Sequence, residues 1–284
     1  MNPIVLDGGL ATHLETLGCD LSDDLWSARL LTDDPSVIRQ AHLDYFTAGA
    51  DVATTASYQA SIPGFVRHGL TSQEARDLIR LSVTLAVQAR DEAGRGLVAA
   101  SVGPYGAYLA NGAEYTGDYD LDEDGLTEWH RERFEILADA GADLLACETI
   151  PSQAEARALA RLLRETPSVK AWVTFSCRDG EHISDGTPFE ESAAIFADLP
   201  QVVAVGVNCT APRFIPELIK HGASIVYPNS GETWDAANRR WLGLADPVEF
   251  GRAAAGWASI GARYVGGCCR TTPAHIREIR SQLT

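Results

Sequence analysis

The sequence lacks the long hydrophobic runs and the positive charge that mark two large classes of protein. No apolar segment approaches the roughly 18–20 residues that a membrane-spanning helix needs, so we expect no membrane partner. Lys and Arg total 23 against 39 Asp and Glu. The formal net charge of −16 disfavours contact with phosphate backbones, so nucleic acid is not an expected partner.

Cysteine is scarce and follows no disulfide pattern. The six cysteines lie at positions 19, 147, 177, 209, 268 and 269, and neighbouring cysteines such as the last two rarely bond to each other, because the ring would be strained. Residues 1–9 also lack the basic segment and apolar core of a secretion signal. These features predict a reducing compartment, the cytoplasm, where thiols stay available for a metal or for catalysis.

Short apolar segments alternate with stretches of helical periodicity along the whole chain. A short motif of small residues and glycine recurs before several of the apolar segments, as in Ala48-Gly49-Ala50-Asp51 and Ala140-Gly141-Ala142-Asp143. Eight candidate strands follow from this pattern: Ile4–Leu6, Val52–Thr55, Leu97–Val102, Leu144–Cys147, Ala171–Ser176, Val202–Val207, Ile225–Tyr227 and Tyr264–Val265.

Six stretches between these strands have helical spacing, and a seventh closes the chain: Pro35–Ala48, Ser72–Ala93, Leu126–Ala140, Ser152–Arg164, Pro188–Phe196, Pro247–Ser259 and Pro273–Leu283. Eight strand–helix units in about 250–300 residues predict a TIM-type (β/α)8 barrel, an α/β fold, formed as a single domain over residues 1–284. A doubly wound open sheet is the alternative, although its G-x-G-x-x-G fingerprint is absent.

Three of the cysteines at predicted strand ends are candidates for one site, because a barrel of this kind carries its chemistry there. Cys209 follows the sixth strand, and Cys268 and Cys269 follow the eighth. Three thiolates with an open fourth position suit a catalytic zinc site. The alternative is that these are buried free cysteines, which pack as small apolar groups.

Several segments resemble the homocysteine S-methyltransferase family over nearly the whole chain. Its three signature elements are similar to Asp7-Gly8-Gly9, Gly206-Val207-Asn208-Cys209 and Gly266-Gly267-Cys268-Cys269-Arg270. Further segments resemble the branch that uses S-methylmethionine, among them Thr55-Ala56-Ser57-Tyr58-Gln59-Ala60, Leu145-Ala146-Cys147-Glu148-Thr149 and Tyr227-Pro228-Asn229-Ser230-Gly231-Glu232.

The resemblance implies a zinc-dependent enzyme that methylates homocysteine to methionine, with Cys209, Cys268 and Cys269 as metal ligands. It also implies that Asp7 and Glu148 hold the homocysteine ammonium. Backbone N–H groups around Gly8 and Gly9 would receive the homocysteine carboxylate. Read from the residues alone, Asp7 is also explained as a helix or turn cap and Glu148 as half of a structural ion pair. Strand alternation turns Cys147 to the helix layer if Glu148 faces the barrel mouth.

Three further residues are candidate substrate contacts. Tyr58 is the best candidate for an aromatic face against a cationic methyl donor, with ordinary packing as the alternative. Asn208 and Asn229 can hydrogen-bond substrate or orient ligands, and turn formation explains them as well.

Several functions stay open beside transfer from S-methylmethionine or S-adenosylmethionine. Within the same chemistry the donor could be betaine and the acceptor selenocysteine. A zinc hydrolase on the same barrel is a second class, although three thiolates leave zinc a weak Lewis acid. A non-catalytic thiol or metal binder is a third. The expected partners are small molecules, and the oligomeric state is open.

Overall fold

In a computed structural model, eight parallel strands form a ring, as the sequence predicts. The structure describes residues 2–21, 26–235, 240–242 and 246–284. The strands in chain order are β1 Ile4–Val5, β2 Val52–Thr54, β3 Leu97–Val102, β4 Leu144–Ile150, β5 Ala171–Phe175, β6 Val202–Asn208, β7 Ile225–Tyr227, β8 Thr233–Asp235, β9 Arg240–Leu242 and β10 Tyr264–Val265. Strands β8 and β9 form an antiparallel pair outside the ring.

The ring closes between its first two strands. The sheet order is β1-β10-β7-β6-β5-β4-β3-β2, with every pairing parallel. A parallel bridge joins Leu6 to Val52, and the Asp7 N–H donates to the Val52 carbonyl at 3.0 Å. The (β/α)8 barrel is therefore confirmed, and the doubly wound sheet is excluded.

The helices cover the outside of the ring. They are α1 Leu10–Thr16, α2 Leu30–Asp33, α3 Pro35–Ala48, α4 Ile62–Arg67, α5 Ser72–Ala93, α6 Tyr105–Leu109, α7 Glu123–Asp139, α8 Gln153–Glu165, α9 Phe189–Ala194, α10 Ile215–Lys220, α11 Pro247–Ser259 and α12 Pro273–Leu283. Local signals set several of these bounds. A capping box between Thr71 and Glu74 begins α5. Helix α3 begins at Pro35 and ends before Gly49, whose φ of 111° is left-handed.

Two strands run further than the sequence predicted. Strand β4 continues to Ile150 and β6 to Asn208, so Glu148 and Asn208 lie inside strands rather than after them. Hydrogen bonding to a neighbouring strand decides where a strand ends, and an apolar pattern stops at the first polar side chain. The short helices α1, α2, α4, α6 and α10 were not predicted, because each has fewer than two turns of periodicity.

Successive side chains of each strand point alternately into two apolar layers, one inside the ring and one between the sheet and the helices. On β4, Leu144 and Ala146 pack with Trp172 inside the ring. Leu145 and Cys147 pack in the larger layer between sheet and helices. Cys147 is thus a packing residue, as strand alternation predicted, and the next inward position is Glu148.

The recurring glycine-alanine-aspartate motif joins neighbouring strands at the base of the barrel. Asp51 precedes β2, and its carboxylate accepts a hydrogen bond from the Val5 N–H of β1 at 2.9 Å. Asp143 precedes β4, and its carboxylate accepts from the Val98 N–H of β3 at 2.8 Å. The repeat is therefore a structural device at the end of the barrel opposite the strand carboxyl ends.

No helix within the described ranges is long and apolar enough to cross a lipid bilayer.

Candidate active site

The carboxyl ends of the strands enclose a cavity of about 120 Å³ that gathers most of the predicted site residues. Its wall includes Asp7, Gly8, Gly9, Tyr58, Glu148, Asn208, Cys209, Cys268 and Cys269. A larger cavity of about 1000 Å³ lies beside it, and Asn229 lines that one. Both cavities share Cys209, Cys269 and Tyr115. We call them the inner and the outer cavity.

The three thiols converge although 59 residues separate Cys209 from Cys268. All three Sγ atoms lie within 4.8 Å of one another. The Sγ atoms of Cys209 and Cys268 are bonded, with their Cα atoms 5.5 Å apart. The Cys269 Sγ lies 3.9 Å from that of Cys209. The predicted convergence of strands six and eight is therefore correct.

This group fits a metal ion when its thiols are reduced. Three sulfurs at this spacing match the ligand set of an open tetrahedral site, in which a fourth position is left for substrate. Burial raises the pKa of Cys269 to about 11, although a hydrogen bond with Tyr115 works in the opposite direction. The isolated thiol therefore stays protonated at neutral pH, and a bound cation would be needed to release its proton. Oxidation of Cys209 and Cys268 removes two of the three ligands.

Polar contacts hold the backbone around the thiols. The Cys268 N–H donates to the Pro228 carbonyl at 2.8 Å. The Cys269 N–H donates to the Asn229 Oδ1 at 3.2 Å. Asn229 thus orients the segment that carries two of the thiols, one of the two roles the sequence allowed for it.

The glycine pair lets the first and last segments of the chain approach each other. A Cβ on Gly9 would lie 2.5 Å from the Cys268 carbonyl oxygen, which no side chain tolerates. The Gly9 N–H donates to the Thr271 Oγ1 at 3.1 Å. That N–H already has a protein partner, so the predicted contact with a substrate carboxylate would have to compete with Thr271.

Two buried carboxylates, Asp7 and Glu148, line the inner cavity. Asp7 accepts hydrogen bonds from the Thr54 N–H at 2.7 Å and from its hydroxyl. Glu148 accepts from the Ser101 hydroxyl and from the Tyr227 hydroxyl, the latter at 3.0 Å. All of these donors are neutral.

No cationic side chain among the described residues pairs with either of these carboxylates. Burial is the main cause that raises the pKa of Asp7 to about 8, and the nearby charge of Glu148 adds to it. Burial also raises the pKa of Glu148 against its two hydrogen bonds. Among the described residues neither carboxylate has a salt bridge, so the structural ion pair considered for Glu148 is not found there. A cation in the inner cavity would stabilise both carboxylates.

Comparison with known proteins decides the family. The model of the homocysteine S-methyltransferase family matches residues 4–283. The homocysteine S-methyltransferase YbgG of Bacillus subtilis is 51% identical over an alignment of 292 positions, which covers 97% of this chain and 93% of that protein. The chain belongs to the homocysteine S-methyltransferase family.

Solved structures agree with this assignment. The metallated form of the homocysteine methyltransferase MmuM from Escherichia coli has a TM-score of 0.88 and 45% identity, covering 99% of this chain and 96% of that one. Its oxidized form has the same TM-score at 46% identity, with the same coverage. The predicted enzyme class, a homocysteine S-methyltransferase, is confirmed, and the hydrolase and non-catalytic alternatives are set aside.

The structure of this homocysteine S-methyltransferase gives Asn208 and Tyr58 a common neighbour. Asn208 accepts from the Thr149 N–H at 2.7 Å and donates to the Thr149 hydroxyl at 2.7 Å. Burial raises the pKa of the Tyr58 hydroxyl, and the neighbouring Thr149 side chain acts in the opposite direction. Thr149 has a left-handed φ of 60°, and these bonds hold that strained residue directly after Glu148. Both side chains therefore have positioning contacts, while the predicted substrate contacts stay predictions.

Sequence reasoning missed the groups that hold the two carboxylates. Thr54, Ser101 and Tyr227 lie in predicted strands, and each points inward by alternation. Counting alternate positions back from each strand end would have found them, since Tyr227 ends β7 and Ser101 lies one residue before the end of β3. Glu114, which lines the outer cavity, lies in a single 3-10 turn, Ala113–Tyr115, which is too short to give a periodic signal.

Proposed function

We propose that this enzyme transfers a methyl group from S-methylmethionine to the sulfur of homocysteine, giving methionine, with zinc held by Cys209, Cys268 and Cys269. The observation that carries the proposal is the junction of two cavities at these thiols. The inner cavity has two carboxylates that form no salt bridge with any described residue, and the outer cavity reaches two of the three thiols, Cys209 and Cys269. An amino-acid thiol and a methyl donor can therefore approach one point from two sides.

Cys209, Cys268 and Cys269 would hold the zinc ion, which would keep a substrate thiol deprotonated at neutral pH without withdrawing all of its nucleophilicity. The side chains and backbone of the protein bind and orient the substrates. Asp7 and Glu148 hold the homocysteine ammonium, and neutral donors fix the direction of both carboxylates. The backbone around Gly8 and Gly9 receives the homocysteine carboxylate. Asn208 and Asn229 hold the strand ends in place, and Tyr58 adds an aromatic wall.

Methyl transfer conserves charge and electrons between the two substrates. The homocysteine sulfur forms a bond to the methyl carbon while the bond from that carbon to the donor sulfur breaks. The electron pair of the broken bond stays with the donor sulfur, which becomes a neutral thioether. A negative thiolate and a positive sulfonium are both neutralised, so a dry site favours the reaction.

The donor is tested with metal-replete, reduced protein and carbon-13-labelled homocysteine. S-methylmethionine, S-adenosylmethionine and betaine are supplied in turn, and labelled methionine is measured by mass spectrometry. We expect turnover with S-methylmethionine to exceed that with betaine by at least 100-fold. Equal or faster turnover with betaine would contradict the proposed donor. Selenocysteine in place of homocysteine tests the acceptor.

The metal is tested by zinc content. We expect about one zinc per reduced wild-type chain and its loss, together with activity, in Cys268→Ala. Cys177→Ala is the matched control, because Cys177 lies outside the thiol group. If Cys268→Ala retained full zinc, the ligand assignment would be wrong. Because the site needs reduced thiols, we also propose a reducing compartment such as the cytoplasm.

A further inference from the structure

The outer cavity carries one acidic side chain that differs from its neighbours. Glu232 is paired with Arg270, the Oε2 and Nε atoms lying 3.0 Å apart. Glu15 lies 4.0 Å from the same guanidinium, and its side chain is 54% exposed. Glu114 is only 5% exposed. Its Oε2 is buried without a hydrogen-bond partner, and no salt bridge reaches it within the described part of the chain.

The position of Glu114 is built by the fold. A Cβ on Gly106 would lie 2.3 Å from the Glu114 backbone nitrogen, so the two segments pack in direct contact. The Ser176 hydroxyl donates to the Glu114 carbonyl at 2.9 Å. These contacts join the loop after β3 to the end of β5 and fix the carboxylate beside the outer cavity.

A buried carboxylate with one oxygen unpaired and no cation beside it is costly, and it is retained where a ligand supplies the missing charge. Burial raises the pKa of Glu114. Its charge in turn reaches Cys269, whose pKa it also raises. The next residue, Tyr115, lines both cavities together with Cys269 and is 44% exposed. Aromatic rings attract onium cations through their negative faces.

We propose that Glu114 is the counter-charge for the sulfonium of the methyl donor in the outer cavity, with the Tyr115 ring beside it. This inference rests on the proposed function, because it needs a cationic donor. It adds a distinct donor subsite to the carboxylate pair of the inner cavity. The sulfonium loses its charge when the methyl group leaves, so Glu114 holds the donor and releases the neutral thioether.

The test compares Glu114→Gln with wild type, both zinc-loaded and reduced. We expect the KM for S-methylmethionine to rise at least 10-fold, while kcat and the KM for homocysteine change less than 3-fold. Glu114→Asp, which keeps the charge, should recover part of the donor affinity. Glu128→Gln, the same change on the exposed surface of α7, is the control. Thermal unfolding checks that each variant is folded.

A binding measurement separates the sulfonium from the rest of the donor. We expect trimethylsulfonium to bind Glu114→Gln at least 5-fold more weakly than wild type, as measured by calorimetry. Product inhibition by methionine should change less than 2-fold. An equal loss for methionine would assign Glu114 to the donor ammonium and overturn the inference. If wild type makes no methionine from any sulfonium donor, the proposed function itself fails. If it does and Glu114→Gln keeps its donor KM, only this inference fails.

Discussion

Buried and half-buried carboxylates at the two ends of the barrel have opposite surroundings. At the base, Asp51 contacts Arg95 at 2.7 Å and Arg280 at 2.5 Å. At the mouth, Asp7 and Glu148 are more deeply buried and have only neutral hydrogen-bond donors among the described residues. Acidic side chains therefore stabilise the fold at one end and leave charge unbalanced at the other.

The difference teaches how this barrel separates stability from function. A carboxylate that closes the ring of strands is compensated within the chain. A carboxylate that waits for a cationic ligand costs stability until the ligand arrives, because burial disfavours its charged form. Replacing each by its neutral amide should therefore have opposite consequences at the two ends.

The largest effect is expected for Glu148→Gln at the mouth. Loss of a charged partner for the substrate ammonium should cost about 2–3 kcal/mol of binding, which raises the homocysteine KM by roughly 30- to 160-fold. The free energy of unfolding without substrate should stay equal or increase. Steady-state kinetics and urea unfolding measure both. Glu165→Gln, on the exposed end of α8, is the control. A KM within 2-fold of wild type would remove Glu148 from the substrate site.

A second prediction concerns Asp7 at the mouth and the pH dependence of the free energy of unfolding. Its pKa is about 8 when folded and close to 3.8 when unfolded. Between these values the folded state keeps a proton that the unfolded state has lost, so stability falls as pH rises. Raising the pH from 6 to 8 should therefore lower the free energy of unfolding of wild type by roughly 2 kcal/mol through this one group.

In Asp7→Asn this fall of the free energy of unfolding with pH should be absent, because the amide does not titrate. The other titrating groups are the same in both proteins. Urea unfolding at pH 6, 7 and 8 without substrate measures the difference. Parallel slopes for the two proteins would show that Asp7 is ionised in the free enzyme and would break the comparison.

The smallest effect is expected at the base. Asp51→Asn should lower the free energy of unfolding by about 1 kcal/mol, because its ion pairs are partly exposed and screened by solvent. The homocysteine KM should not change. Asp77→Asn, which removes an exposed pair with Arg80, should cost less and serves as the control. If Asp51→Asn changed KM more than stability, the division between the two ends would be wrong.

Local pattern predicted much of this fold and part of the site. The bounds of α3, α5, α11 and α12 agree with the periodic stretches because amphipathic spacing, proline and glycine act within a few residues. The thiols were expected to meet because parallel strands of a barrel end at one rim. The ends of β4 and β6 were missed because cross-strand pairing extends β4 past Glu148 and β6 as far as Asn208.

The sequence does not predict which side chains contact each other when the contact joins distant segments of the chain. Asn208 carries no sign that its amide binds Thr149, 59 residues away. Nor does Glu114 differ in sequence from any other loop glutamate.

By itself, the amino-acid sequence determined the eight strand–helix units, the acidic surface and the thiols at two strand ends, because these depend on residue type and short-range spacing. Only the tertiary structure decided which carboxylates are compensated. Charge balance in a buried site depends on every group that packs around it, and closure of the ring brings Arg95 and Arg280 to Asp51 while leaving Asp7, Glu148 and Glu114 without a cation among the described residues.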